Sequence, residues 1–383
     1  MRCNAGEALL QIPTHMRNPW SVVSSLLKSI AVLVALLLSL RPFSAQADPP
    51  LDNNHPAIRA AIAVQNDVTD EWMKQPEVLG TSVGIDGVAE PALTVYIDRD
   101  AANAGEVIRG LPANLRGTAV HIQLTDKFRA MKGNPHGGGG TSHTARQTPP
   151  IQLGTSGGWS KDLANGYCCG GTLGSLVQIG SKQYILSNYH VFESDIVSGG
   201  NGIVATNGDP IIQPGLIDVN CTASNAQTVG TLVKRSSLPG SNVDCSTAEV
   251  VSGMVRTDGA ILEIGTISHL TTAAFINQAV KKSGRTTGLS RSSVSGLNAT
   301  ISVTYDNECA GGTAFTKTFT GQIVVANRGS SFLNSGDSGS LMVEDVATNP
   351  RAVGLLFAGS STSAIANPIN QVLSFLGATM VGQ

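Results

Sequence analysis

Charge of either sign is sparse in this 383-residue sequence: Asp, Glu, Lys and Arg make up 14% of it, with 25 basic residues against 27 acidic ones. A balance so near neutral provides no basic stripe for nucleic acid and no acidic tail, so no nucleic-acid partner is expected. Spacings of the zinc type are missing as well. There is no Cys-x-x-Cys pair and no His-rich run, and neither metal nor cofactor is expected. Long apolar runs are absent with one exception, "SIAVLVALLLSL" at 29–40, whose 12 residues fall short of a comfortable bilayer span. It follows Arg17 and Lys28 and precedes "SAQAD", where Ala45 and Ala47 fit a small-x-small cleavage site. That pattern predicts a secretory signal peptide over residues 1–47, and so a secreted or periplasmic protein without a stable membrane anchor. Counted from Met1 the basic region is long, and Met16 would be a more ordinary start.

Aromatics are scarce at 4%, whereas glycine is abundant at 43 residues. Such a mix suits short strands and turns better than long helices. Three blocks come after the leader. Residues 48–131 open with Ile58, Ala61, Ile62, Val68 and Trp72 on one helical face, interrupted by Gln65. Strand-like runs "VLGTSVGI", "ALTVYID" and "TAVHIQL" come next, with a short helical stretch near "AGEVIRGL". These elements predict a small α/β domain that is either a removable pro-segment or a permanent accessory, and that can pack on the C-terminal region. His121 lies within a strand pattern and reads as a packed side chain. Residues 132–150, "KGNPHGGGGTSHTARQTPP", read as a linker in which His136 and His143 need no function. From 151 to 383, short runs such as "QYILSN", "GTLVK", "GSLMVED" and "AVGLLFAG" recur between Gly, Asn, Asp and Ser turns, predicting an antiparallel barrel or sandwich. Asn367 can cap a closing helix with Pro368 at its first position, running to Gly377.

One turn stands out: "FLNSGDSGSLM" (332–342) places Ser338 between two glycines and after an acid. A serine hydroxyl is a weak nucleophile unless a base takes its proton, and an imidazole base needs a third group to hold its tautomer. Chain order narrows the choice. No histidine follows Ser338, and position 340 is Ser, both of which exclude an α/β-hydrolase elbow. The remaining order is His, Asp, Ser. "QYILSNYHVF" places His190 just past an apolar strand, and "SNVDCSTAEV" places Asp244 in a run of buried character, 54 residues after His190 and 94 before Ser338. Asp258 in "RTDGAIL" is the rival acid, though its place before Gly259 reads as a turn.

With those three motifs in that order, the chain resembles the chymotrypsin-like (trypsin-fold) serine peptidases of the bacterial secreted kind, over roughly 165–380. "GDSGS" looks like their nucleophile turn, "LSNYHV" and "VDCSTAEV" stand where their His and Asp motifs stand, and "SGRTTGL" (283–289) is similar to a stretch in bacterial members. The resemblance implies a mainly β fold of two antiparallel six-stranded barrels with a C-terminal helix, the site lying in the cleft between them. It further implies a secreted serine endopeptidase acting on protein or peptide substrates, with His190 as base, Asp244 as its orienter and Ser338 as nucleophile. The N–H groups of Gly336 and Ser338 would form the oxyanion hole, and a glycine at 336 suits that task because it can aim its N–H without a Cβ in the way. In members resembling "GRTTG" the acid of the turn pairs with that motif's arginine, which implies an Asp337–Arg285 ion pair. Phe332, six residues before the serine, stands where cleavage after Lys or Arg would want an acid, so an apolar or small specificity is expected. Of six cysteines, Cys3 lies in the leader. The odd remainder, Cys168, Cys169, Cys221, Cys245 and Cys309, leaves at least one thiol unpaired, with Cys245 either buried or joined to Cys221. The alternative reading is a catalytically silent binding protein on the same fold.

Overall fold

The computed structural model describes residues 49–131, 142–164, 166–193, 201–305, 309 and 314–383. The expected signal peptide (1–47) and the first part of the linker (132–141) lie outside the described residues. Five strands come first: β1 (Val78–Ile85), β2 (Pro91–Asp98), β3 (Asn114–Leu115), β4 (Thr118–Thr125) and β5 (Phe128–Ala130). Next are β6 (Thr155–Trp159), the small hairpin β7 (Leu163–Ala164) and β8 (Tyr167–Cys168), then β9 (Gly171–Leu173), β10 (Ser175–Ile179), β11 (Lys182–Ser187), β12 (Pro210–Gln213), β13 (Gln227–Val233) and β14 (Ser246–Val250). A hairpin of β15 (Ala260–Ile261) and β16 (Gly265–Thr266) leads to β17 (Ala279–Gly284), β18 (Gly288–Tyr305), β19 (Phe315–Ala326), β20 (Leu341–Glu344), β21 (Ala352–Gly359) and β22 (Ser363–Pro368). A helix, Ile369–Leu376, and β23 (Thr379–Met380) end the chain.

The long glycine-punctuated β region closes into two barrels of six strands, as expected. In the first, the order β10-β11-β14-β13-β12-β6-β9 returns on itself because only Gly174 separates β9 from β10, so the two act as one bent strand. In the second, β17-β20-β21-β22-β19-β18 closes through the β17–β18 pairing. Each barrel is filled by its own inward-facing side chains. Trp159, Leu173, Ile185 and Val229 are fully buried in the first, and Val280, Val294, Leu356 and Ala366 in the second. A further apolar group, including Leu186, Ile264, Leu355, Val372 and Cys245, lies between the barrels and under the C-terminal helix. Fully burying an aliphatic or aromatic side chain contributes about 1.5–3 kcal/mol. The helix ends at Gly377, whose left-handed conformation (φ 61°) stops it. Asn367 is not its cap. It belongs to β22, and its side chain serves the candidate active site.

The α/β elements expected in 48–131 form where predicted, with a helix at Pro56–Trp72 and another at Ala104–Gly110. They do not close on themselves as a separate domain. β1 pairs antiparallel with the long β18 (Thr81 opposite Thr300), β2 pairs with β1, and β4 runs parallel to β2, so the second barrel's sheet continues outward. Residues 50–383 form one compact unit as a result. The physical reason lies in the residue that interrupted the helical face. Buried Gln65 donates to Thr81 Oγ1 and to the Asn298 carbonyl, both at 3.0 Å, and accepts from Asn298 Nδ2, tying the helix to β1 and β18. In strand β4, His121 is exposed rather than packed. No helix among the described residues is long and apolar enough to cross a membrane.

Candidate active site

β11 delivers its chain into a four-residue helical turn, Tyr189–Phe192, that carries His190. The imidazole is 2% exposed, and its Nδ1 lies 2.6 Å from Oδ2 of Asp244, which is fully buried at the end of the loop entering β14. Asp244 Oδ1 accepts the Tyr189 N–H at 2.7 Å, and Oδ2 accepts the Tyr305 hydroxyl at 2.8 Å. The backbone of Asp244 is fixed on both sides, its N–H donating to Asn367 Oδ1 (2.9 Å) and its carbonyl accepting Asn188 Nδ2 (2.7 Å). A carboxylate without water is costly unless hydrogen-bonded, and these donors meet that cost. Burial, followed by the charge of Asp244, pushes the Tyr305 phenol well above its ordinary pKa, so it remains an O–H donor. The rival Asp258 lies at the surface against Arg256, at 3.2 Å and in a second contact of 2.5 Å, and accepts the Ala260 N–H; it is a turn acid.

Ser338 sits at the head of the second barrel with no exposed surface, its Oγ donating to the Phe357 carbonyl at 3.1 Å. Both flanking glycines take left-handed backbone, φ 98° at Gly336 and 92° at Gly339. Any Cβ there would meet Thr286 Oγ1 at the first position, and Ser187 Oγ and the Thr172 carbonyl at the second, so only glycine fits. The turn docks on the first barrel through β9. Thr172 N–H donates to the Ser338 carbonyl (2.8 Å), and Thr172 Oγ1 donates to the Gly336 carbonyl (2.9 Å). A methyl group placed at Gly171 would be 2.6 Å from Val191 Cγ2 and 3.0 Å from the Ser338 carbonyl oxygen, which puts the neighbour of His190 against the serine turn. The Gly336 N–H donates to the Met131 carbonyl at 2.6 Å.

The expected Asp337–Arg285 pair does not form. Arg285 reaches instead to the first barrel, holding Asp218 with two parallel bonds of 2.7 and 2.6 Å. Its planar fork matches that carboxylate, and the pair ties one barrel to the other. Asp337 is held by Lys282, three residues before Arg285 on β17, with Nζ–Oδ1 at 3.1 Å and both side chains fully buried. Four further donors complete its shell: the N–H groups of Thr286, Thr287 and Asn334, and the Thr287 hydroxyl. Burial lowers the Lys282 pKa, and the adjacent Asp337 charge pulls it partly back up. Ser340 fits without conflict because its Oγ bonds back to the Asp337 carbonyl at 2.5 Å. Phe332 is 1% exposed and packs in the core of the second barrel.

Two disulfides are present, Cys168–Cys221 and Cys169–Cys309, which excludes the Cys245–Cys221 option. Cys245 is a free thiol facing the core between the barrels, where burial pushes its pKa well above the ordinary value. His143, expected in a featureless linker, is buried. Its ring bonds the Gly154 carbonyl (2.8 Å) and Glu263 (2.6 Å), anchoring the chain where it enters β6. Tyr305, Asn367, Lys282 and Asp218 carried no signal in the sequence, since each acts through a partner distant along the chain. Among the described residues no group of three or more His, Cys, Asp or Glu side chains could hold a metal ion.

The family model of the Nal1 C-terminal domain matches residues 240–367, about a third of the chain. No curated protein matches it. Among solved structures, the chain is similar to a glutamic acid-specific serine protease described as using a histidine triad in substrate binding, at 17% identity and a TM-score of 0.40, covering 60% of this chain and all of that one. It is also similar to Protease A of Thermobifida fusca (20% identity, TM-score 0.39, 61% of this chain and 99% of that one). A Nocardiopsis protease is 17% identical with a TM-score of 0.37, over 59% of this chain and 97% of its own.

Proposed function

We propose that the chain is a serine endopeptidase acting on protein or peptide substrates outside the cytoplasm. The observation that carries this reading is the buried His190–Asp244 pair at 2.6 Å, set beside a serine turn whose strained glycine directs its N–H at a carbonyl oxygen. An ionised carboxylate only accepts hydrogen bonds, so Asp244 fixes the proton of His190 on Nδ1 and leaves Nε2 as the basic nitrogen. Nε2 then takes the Ser338 proton as Oγ attacks the scissile carbonyl, and returns it to the leaving amine. Asp244 stays ionised throughout and stabilises the imidazolium, while the Gly336 and Ser338 N–H groups receive the developing oxyanion. One such donor is worth about 3 kcal/mol of transition-state stabilisation. The resulting acyl-enzyme is cleared by water using the same base. Asp337 and Lys282 hold the turn in shape, so it needs no newly made amino terminus. The two disulfides accord with export.

The second reading, a silent binding protein, draws on one observation: the chain's own Met131 already occupies the Gly336 N–H. A fluorophosphonate probe separates the two. The endopeptidase reading expects labelling that maps to Ser338 and disappears in Ser338→Ala and in His190→Ala. No labelling of the full chain, together with no turnover of a broad peptide library, would leave the binding reading in place.

A further inference from the structure

The segment from β2 through the helix Ala104–Gly110 to β4 is a parallel crossover attached to an otherwise largely antiparallel sheet, with Asp98 opposite Thr125 where its two strands end. In such units ligands settle outside the carboxyl ends of the parallel strands. A cleft of about 420 Å³ lies at that end, lined by Glu77, Asp98, Asp100, Asp126, Lys127 and Arg129. Glu77 joins them because β1 runs antiparallel to β2. The residue before β1 therefore stands beside the end of β2, and its carbonyl accepts the Asp98 N–H at 2.8 Å. The volume falls in the range of about 300–1,000 Å³ usual for small-ligand sites.

Charges in this cleft do not balance. Asp126 is satisfied by Arg99 (2.8 Å) and by the Ser361 N–H and hydroxyl. Asp98 is buried, accepts the Asp100 N–H at 3.1 Å and has Lys127 Nζ at 3.7 Å. Arg129 is already engaged. Asp100, exposed at the rim, forms no ion pair. Glu77 is only 8% exposed, yet no described residue gives its carboxylate a hydrogen bond or a counter-charge. A buried carboxylate without a partner is costly, and it can only accept hydrogen bonds. What the cleft lacks is a donor, and a cationic donor would offset that cost best. These acids do not converge as the ligands of a metal ion would, which points to an organic group.

We propose that this cleft is a binding site for an organic cation, an ammonium or guanidinium group whose N–H donors are taken by Glu77 while Asp100 adds attraction from the rim. The site is built by the N-terminal α/β elements, and it stands whether or not Ser338 is a nucleophile. The same chemistry is carried by a free amine or guanidine and by a Lys or Arg side chain of a bound peptide. Removing the Glu77 charge should therefore cost binding but not folding, because no bond within the protein is lost with it.

The test is calorimetric titration of the full chain, carrying Ser338→Ala so that no peptide turnover contributes heat. Agmatine serves as the free cation, acetyl-Gly-Arg-Gly-amide as the peptide-borne one and the norleucine analogue of that peptide as the uncharged control. One-site binding of agmatine, of the arginine peptide or of both is expected, with none for the norleucine peptide. Binding of the peptide alone assigns the site to a basic side chain, and binding of agmatine assigns it to free cations. Glu77→Gln should weaken that binding about tenfold or more, and Asp100→Asn by about two- to threefold. Asp86→Asn, in the turn at the far end of β1 and β2, should leave it unchanged. Melting temperature without ligand gives a second reading, since Glu77→Gln should melt no lower than its parent. No binding of either cation, equal binding in Glu77→Gln, or calcium binding at Glu77 where agmatine does not, would each overturn the proposal. So would a clear fall in the melting temperature of Glu77→Gln, which would show that the carboxylate already has a partner.

Discussion

Two fully buried aspartates lie on opposite sides of the cleft, and they are held in different ways. On the first-barrel side, Asp244 is held by neutral donors, the Tyr189 N–H and Tyr305 hydroxyl, and by the imidazole of His190. On the second-barrel side, Asp337 has a full cation, Lys282, and four more donors. A carboxylate neutralised by an ammonium has little influence left for a neighbouring base. One held only by neutral donors keeps its charge for the imidazole that would become cationic in the proposed reaction. The first arrangement suits chemistry and the second suits rigidity, although both residues look alike as single acids in short motifs.

Substitutions at the two positions should therefore fail differently. The largest expected effect is on rate. Asp244→Asn keeps the shape but not the tautomer control, and should slow fluorophosphonate labelling of Ser338 by about 10⁴-fold with little change in melting temperature. A similar loss of melting temperature at both positions would erase the contrast. Next, Asp337→Asn leaves the Lys282 charge buried without its counter-ion, and should cost about 3–5 kcal/mol in denaturant unfolding. Lys282→Met should produce a loss of comparable size, since it strands the carboxylate instead. A smaller effect belongs to Tyr305→Phe, which removes one charge-assisted bond from Asp244; about a tenfold slower labelling is expected, with the fold retained.

The smallest effect sharpens the comparison with a carboxylate that protons can reach. Burial tends to raise the pKa of Asp126, but bonds from the Ser361 hydroxyl and N–H, its own N–H and the Arg99 charge together lower it. A depressed folded pKa means that the stabilisation is complete above the ordinary carboxylate range and is lost as pH falls through the lowered value. Amide exchange of residues 126–131 should therefore rise below about pH 4. The pH step should vanish in Asp126→Asn.

Much of the molecule was legible in its residues. An antiparallel barrel or sandwich follows from short strand-like runs between glycine turns, the choice of two barrels from the family resemblance, and the order of His190, Asp244 and Ser338 from three local motifs. Both are short-range signals, because a strand's alternation and a turn's backbone demands are written within a few residues. The choice of Asp244 over Asp258 could be argued only from context, and it was resolved by which acid the fold brings to His190. The partner of Arg285 was misplaced for the same reason. A guanidinium takes whichever carboxylate the packing presents, and the docking of the barrels presents Asp218, while Lys282 is already lodged against Asp337. Gln65 read as a flaw in a helical face because its partners, Thr81 and Asn298, are remote in the chain.

By itself, then, the sequence determined the class of fold, the kind of turn around Ser338 and the residue types able to do the chemistry, since these depend on local pattern and on the backbone freedom of Gly336 and Gly339. Tertiary structure alone decided the disulfide pairing, the anchoring of Asp244 by Tyr305 and Asn367, the continuation of residues 50–131 into the second barrel, and the seating of Met131 on the Gly336 N–H. Those are pairings between strands far apart in the chain, chosen by which edges and buried polar groups remain to be satisfied once the barrels have closed.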